Sequence, residues 1–303
     1  MNNKIAIIVP YFGKFPKWMS LFVEGCKNNG LIDFIIFSND EIKQHADNII
    51  CHKTTFEDYC KLVAKELSIK FTPQSPYKLC GVKPFYGYIH REELSSYDFW
   101  GFCDLDLVFG DLSKCFSFER LQQFDVISTD WNIISGPLCI LRNNEYFRKI
   151  AFKIPNWKQM LESDQMIPLD EKYLSDTIAI ELKVLRGVDS RILRPIIPLK
   201  YVRIIDKILA YPVHLLLRKK RLSFGFYNCT PEIGCSKMEF VYKNHTVIER
   251  DTGKGLPYLH FLFFKKNMYR KDYLWTDASL LSTDNVRFDI PVYIDKHGIY
   301  NKV

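Results

Sequence analysis

The chain is poor in the features that would place it in several common classes. Its nine cysteines, at positions 26, 51, 60, 80, 103, 115, 139, 229 and 235, contain no CxxC pair, and their number is odd. Zinc-site and disulfide-framework spacings are therefore missing, and reduced thiols in a cytosolic protein are the expectation. No apolar run is long enough to span a bilayer. The five residues Ile5 to Val9, cut short by Pro10, are too few for a signal peptide. No internal repeat or low-complexity linker divides the 303 residues, so a single domain over 1–303 is the simplest partition.

What is present is ordinary globular material with two biases. Hydrophobic residues at 47% and charged residues at 25% are enough to build a core and argue against disorder. Phe and Tyr are abundant, at 23 and 17 copies; most must be core, although aromatic surplus also lines sugar sites. The formal net charge of +7 suits nucleic acid, anionic lipid or phosphate-bearing substrates, and charge alone does not choose among them.

The apolar patterning reads as alternating strand and helix. Residues 4–9 (KIAIIV) form a continuous β-branched run stopped by Pro10, as a buried parallel strand would be. Residues 16–29 carry Trp18, Leu21, Phe22 and Cys26 near helical spacing, and residues 32–37 (IDFIIF) form a second strand ending at Ser38-Asn39-Asp40. This βαβ unit predicts an α/β fold on a Rossmann-type mixed sheet flanked by helices. Helices are expected over 56–69 and 84–96, and short strands over 124–129 and 137–141. The chain is mostly helical from about 145, then mixed and aromatic near its end.

The most informative stretch runs from Phe99 to Asp111. An apolar strand reaches Asp104-Leu105-Asp106 and is expected to continue through Leu107-Val108-Phe109, turning both carboxylates to one side. Two such carboxylates repel each other unless a cation lies between them. The carboxyl end of a central strand is also where an open α/β sheet binds ligands. A divalent ion held there can bridge a diphosphate and neutralise the charge that develops as a sugar–phosphate bond breaks. The bland alternative is a strand-ending turn with solvated aspartates.

This segment resembles the DxD motif of GT-A glycosyltransferases, in particular the retaining α-galactosyl- and α-N-acetylgalactosaminyltransferases. With Lys78-Leu79-Cys80-Gly81-Val82-Lys83-Pro84-Phe85-Tyr86-Gly87 before it, it is similar to a bacterial family of O-antigen and capsule assembly. That family includes a galactopyranosyltransferase domain of a bifunctional O-antigen polymerase. The resemblance covers most of the chain, is strongest over 77–112 and 132–142, and is faint over 185–250. An Asp commonly stands in that family where this sequence has Gly81.

The resemblance implies a GT-A-like fold, with residues 1–130 binding a nucleotide sugar and 131–303 forming the acceptor-binding and C-terminal half. It implies Mn²⁺ or Mg²⁺ held by Asp104, Asp106 and His260, and a UDP-sugar, notably UDP-galactose, as donor. Donor contacts then fall to Lys83, Asp104 and Lys265, while Pro10, Tyr11, Phe12 and Asp40 follow the first two strands, whose ends should hold the base and ribose of the donor. Asp170-Glu171-Lys172-Tyr173-Leu174-Ser175 is similar to a segment of retaining α-galactosyltransferases whose Glu lies beside the anomeric carbon. Carried over, Glu171 is the nucleophile or electrostatic stabiliser, and Asp170 contacts sugar hydroxyls. Asp164-Gln165 competes for the same place, and an acidic first turn of a helix is the plain alternative.

The remaining candidates are read from local chemistry. Gly136 could let a sugar approach the backbone, or could serve an ordinary turn. Trp131 offers an acceptor-stacking face, or is simply core. His260 sits on an alternating apolar strand, where satisfied core histidines are common, yet an imidazole would complete a Mn²⁺ site. Residues 201–224 join an apolar stripe to Arg203, Lys207, Arg218, Lys219, Lys220 and Arg221. They suggest a peripheral contact with the inner face of a membrane and a saccharide or lipid-linked acceptor, or else a core helix with a basic end.

Two other functions fit less well. A nucleotidyltransferase also uses paired carboxylates, but Pro10-Tyr11-Phe12-Gly13 makes a poor phosphate loop. A nucleic-acid-binding module would interleave its charge with aromatics, whereas here the charge gathers at 218–221, so no nucleic-acid partner is expected.

Overall fold

The computed structural model describes residues 4–130, 133–178, 224–226, 238–265, 275 and 277–302. Trp131 and the basic stretch at 203–221 lie outside the described residues.

The framework is the expected mixed α/β sheet flanked by helices. Its strands are β1 (Ile5–Pro10), β2 (Ile32–Ser38), β3 (Ile49–Lys53) and β4 (Phe99–Cys103). After the short β5 (Leu107–Phe109), which belongs elsewhere, come β6 (Val126–Ser128), β7 (Leu138–Arg142) and β8 (Phe224–Phe226). The seven-stranded sheet runs β3-β2-β1-β4-β7-β6-β8. Strands β1 to β4 are mutually parallel, whereas β7 pairs antiparallel with both β4 and β6.

Alternation along the strands feeds a core on each face. Ile5, Ile7 and Val9 pack with helix α1 (Met19–Lys27), while Ala6 and Ile8 face helix α2 (Phe56–Leu67). Helix α2 starts with a cap read easily from its sequence: Thr55 Oγ1 accepts from Asp58 N at 3.1 Å, with Glu57 and Asp58 in the first turn.

Two expectations fail locally. The chain between Asp104 and Asp106 is a turn, and β5 leaves the main sheet to pair antiparallel with β12 (Tyr258–His260). The expected helix over 84–96 is instead a 3₁₀ helix, Pro76–Phe85, followed by one helical turn, α3 (Tyr86–Ile89). Lys78, Leu79, Val82, Lys83, Pro84 and Phe85 are all buried on it, and it packs against the turn at 169–174, a tertiary demand that 3.6-residue spacing does not express. The C-terminal part is a separate five-stranded antiparallel sheet. It consists of β9 (Phe240–Lys243), β10 (Thr246–Glu249), β11 (Gly255–Leu256), β13 (Val292–Asp295) and β14 (Gly298–Asn301). Its inner face buries Phe240, Val247, Val292 and Ile294 in a third core with Trp18 and Leu21.

Among the described residues, no helix is long and apolar enough to cross a membrane.

Candidate active site

The site is assembled where β4 ends. Because β1, β2 and β4 are parallel, their carboxyl ends share one edge, and Tyr11, Asp40 and Asp104 all follow on that edge. Three hydrogen bonds from separate elements hold the turn after β4. Asp104 N donates to Pro137 O at 2.9 Å, Phe261 N donates to Asp106 O at 2.9 Å, and the buried Trp18 Nε1 donates to Leu105 O at 2.8 Å. Leu105 is buried, so the two aspartates project from a fixed backbone.

The departure of β5 from the main sheet is what completes the cluster. In the β5–β12 register His260 lies opposite Leu107, next to Asp106 in the chain. Its Nε2 reaches Asp106 Oδ2 at 3.2 Å, and Lys265 Nζ reaches the same oxygen at 2.7 Å. One ligand atom each from Asp104, Asp106 and His260 lies within 4.8 Å of the others, and the three together could hold a metal ion. Two carboxylates and an imidazole suit Mn²⁺ or a similar divalent ion better than Ca²⁺, which prefers oxygen alone.

Electrostatics polarise this group strongly. Burial would raise the Asp106 carboxyl, but His260 and Lys265 outweigh it and hold the group ionised well below the usual range. Burial pulls His260 down, and Asp106 overcomes that to raise it above its ordinary value.

A second pair of carboxylates comes from another element. A π-helical turn, Leu169–Leu174, carries Asp170 and Glu171, with Asp170 buried and Glu171 half-buried. Burial raises both carboxyls, and Asp170 raises its neighbour further. They close onto Gly136: a Cβ there would lie 2.8 Å from Glu171 Oε1 and 3.1 Å from Asp170 Oδ2. The open side of Gly136 is thus filled by the two carboxylates. Asp164 is exposed, and the carbonyl of Gln165 accepts from buried Lys78 instead of joining this group.

Lys83 joins the two pairs. Its ammonium, 6% exposed as a residue, lies 2.6 Å from Asp104 Oδ1, 2.8 Å from Gly136 O and 3.6 Å from Asp170 Oδ2. Burial would lower this lysine, but Asp104 and Asp170 hold it well above its ordinary value. At Gly81, a Cβ would meet Ile167 O at 2.8 Å, so an aspartate there would have to displace the strand of chain leading to Asp170.

The N-terminal candidates divide. Tyr11 stacks on Phe15 with centroids 5.5 Å apart, and burial, Asp40 and Asp106 raise its hydroxyl. Asp40 spends both oxygens locally, accepting from Phe15 N at 2.9 Å and Glu41 N at 3.0 Å. Pro10 ends β1 at this edge, whereas Phe12 turns into the core between Phe56 and Tyr59. Trp18, whose indole pins the metal-side turn, was legible only as a helix residue: its partner is 87 positions away.

Comparison with known proteins adds a family. The family of unknown function DUF6625 matches residues 7–193. No curated protein matches the chain. Among solved structures, the galactosyltransferase LgtC in complex with donor and acceptor sugar analogues is 8% identical, with a TM-score of 0.35 over 57% of this chain and 70% of that one. An active-site mutant of LgtC is also 8% identical, with a TM-score of 0.34 over 57% and 69% of the two chains.

Proposed function

The chain belongs to the DUF6625 family, which brings no activity with it, and we propose one from the site: metal-dependent transfer of a hexose from a nucleotide sugar. The observation that carries this reading is the meeting of Asp104, Asp106 and His260 with a second carboxylate pair, Asp170 and Glu171, through one buried lysine. With His260 giving a neutral imidazole nitrogen to the cation, four carboxylates against the two ammonium groups of Lys83 and Lys265 leave two negative charges, which matches a divalent ion.

When bound, such a cation neutralises charge on a leaving diphosphate. The chain's own residues supply the rest. Asp104, Asp106 and His260 hold the ion, Tyr11 and Phe15 offer an aromatic surface beside it for a base, and Lys265 places an ammonium at its rim. Glu171, across Gly136, would supply the negative charge that stabilises an oxocarbenium-like state, the role its counterpart has in the segment it resembles, and on that we assign retention of anomeric configuration. UDP-galactose is the donor we assign, and a bacterial surface saccharide, free or lipid-linked, the acceptor, with residues 203–221 contacting the membrane. These finer assignments rest on the sequence resemblance.

A screen of UDP-hexoses with Mn²⁺, scored by UDP release, tests the reaction. We expect release from UDP-galactose that stops in excess EDTA. Release that persists in EDTA would overturn metal dependence, and no release from any UDP-hexose would overturn the donor class.

A further inference from the structure

Resting on that reading, we propose that Lys83 is a positioning residue that ties the metal-side aspartate to the Asp170–Glu171 turn and does not itself contact the donor. A lysine ammonium has three N–H groups and no more. Here it donates to Asp104 Oδ1 at 2.6 Å and Gly136 O at 2.8 Å, and Asp170 Oδ2 stands at ion-pair distance, 3.6 Å. The side chain is 8% exposed, and the Phe102 ring lies 5.6 Å from the ammonium. Two hydrogen bonds and a neighbouring carboxylate thus occupy the ammonium's surroundings, and little surface is open to a phosphate.

The three partners come from three separate pieces of chain. Asp104 follows β4, Gly136 precedes β7, and Asp170 lies on the π-helical turn. Lys83 itself sits on the 3₁₀ helix Pro76–Phe85, whose Gly81 packs against Ile167 O, just before that turn. The same helix therefore sets the backbone of the second carboxylate pair and, through one ammonium, the rotamer of Asp104. By engaging Oδ1 of Asp104, Lys83 leaves the other oxygen of that carboxylate for a cation.

A fixed positive charge this close to a cation site opposes the cation as well as orienting its ligand. Removing it has two consequences of opposite sign. The site becomes more negative and binds a divalent ion more tightly, while Asp104 and the Asp170–Glu171 turn lose their common anchor. A phosphate-binding lysine would behave differently, since its loss would weaken UDP binding first. A merely structural lysine would weaken everything together.

The test uses Lys83→Met and, because a buried carboxylate left alone is costly, the double variant Lys83→Met/Asp170→Asn, which removes both charges. Mn²⁺ binding without donor is read by the electron paramagnetic resonance of the free ion, and turnover by UDP release from UDP-galactose. We expect Lys83→Met to bind Mn²⁺ at least tenfold more tightly than the wild type and UDP in Mn²⁺ at least as well. Turnover should fall at least thirtyfold. Asp170→Asn should lower turnover alone but add little in the double variant, which also stands in if the single variant does not fold. A tenfold loss of UDP affinity with turnover per bound donor preserved would overturn the proposal in favour of a donor contact. So would Mn²⁺ binding that weakens, or losses that multiply in the double variant. A wild type that binds no Mn²⁺ would overturn the metal reading and the Lys83 proposal together, whereas failure of the variants alone removes only the latter.

Discussion

At the scale of single residues, the site depends on how charges are paired across short distances. Asp106 is compensated by His260 and Lys265, and Asp104 by Lys83. Glu171, half-buried, is the carboxylate of the second pair set nearest to Gly136, at 2.8 Å from where a Cβ would stand. Glu171→Gln keeps shape and hydrogen bonding and removes the charge. Turnover should drop roughly a hundredfold, the scale of one lost transition-state contact of about 3 kcal/mol, with UDP affinity little changed. Steady-state kinetics with UDP-galactose checks this, and unchanged turnover would take the role from Glu171. The aspartates were legible in the sequence because an apolar strand running into Asp-Leu-Asp is a local pattern. Glu171 was legible only by resemblance, since acidic residues at the start of a helical turn have a plain explanation in the helix dipole. Gly136 was legible as a place of close approach, but its occupant, a carboxylate pair more than thirty positions downstream, was not.

At the scale of elements, the decisive event is the break between β4 and β5. Sequence alternation gave no reason to expect it, because Phe99 to Phe109 is apolar on both sides of the acidic pair and reads as one strand. The break is made by non-local partners: Pro137 O takes Asp104 N, Phe261 N gives to Asp106 O, and β12 pairs β5. The βαβ start was legible because a continuous β-branched run, an amphipathic stretch and a second run follow each other closely. The same reasoning misses β10 and β11, whose pairing is decided by the turns beside them. The two-residue turn before β10, at Asn244 and His245, has φ of 48° and 60°, values an Asn-led hairpin turn allows. Trp18 tests the importance of the break. Trp18→Phe keeps most of the buried ring and deletes the Nε1 bond to Leu105 O, leaving that buried carbonyl unsatisfied. Stability should fall by about 1–3 kcal/mol, measured by chemical denaturation. The freed turn should also bind Mn²⁺ less tightly. Full Mn²⁺ affinity in a destabilised variant would mean that the other two bonds suffice to hold the aspartates.

At the scale of the whole molecule, the metal-side cluster joins parts of the chain that otherwise pack in different cores. Asp104 follows a strand of the seven-stranded sheet, while His260 ends β12, and Leu259 beside it belongs to the core under the C-terminal sheet. An ion bound to both should therefore stabilise the fold as a unit, because the unfolded chain holds Asp104 and His260 far apart and offers no such site. At a Mn²⁺ concentration about a hundred times the dissociation constant, the gain is about 2.7 kcal/mol, enough to raise the unfolding midpoint by several degrees. Asp106→Asn should abolish most of that rise, because the variant loses a proposed ligand and the partner that lies 3.2 Å from His260. Differential scanning calorimetry of the two proteins, each with Mn²⁺ and with EDTA, separates the possibilities. The wild type should lose its added stability in EDTA, and the variant should unfold at nearly the same temperature in either. An equal Mn²⁺-dependent rise in both would place the ion elsewhere, and the Asp104–Asp106–His260 cluster would then be a set of ion pairs holding β5 and β12 to the main sheet.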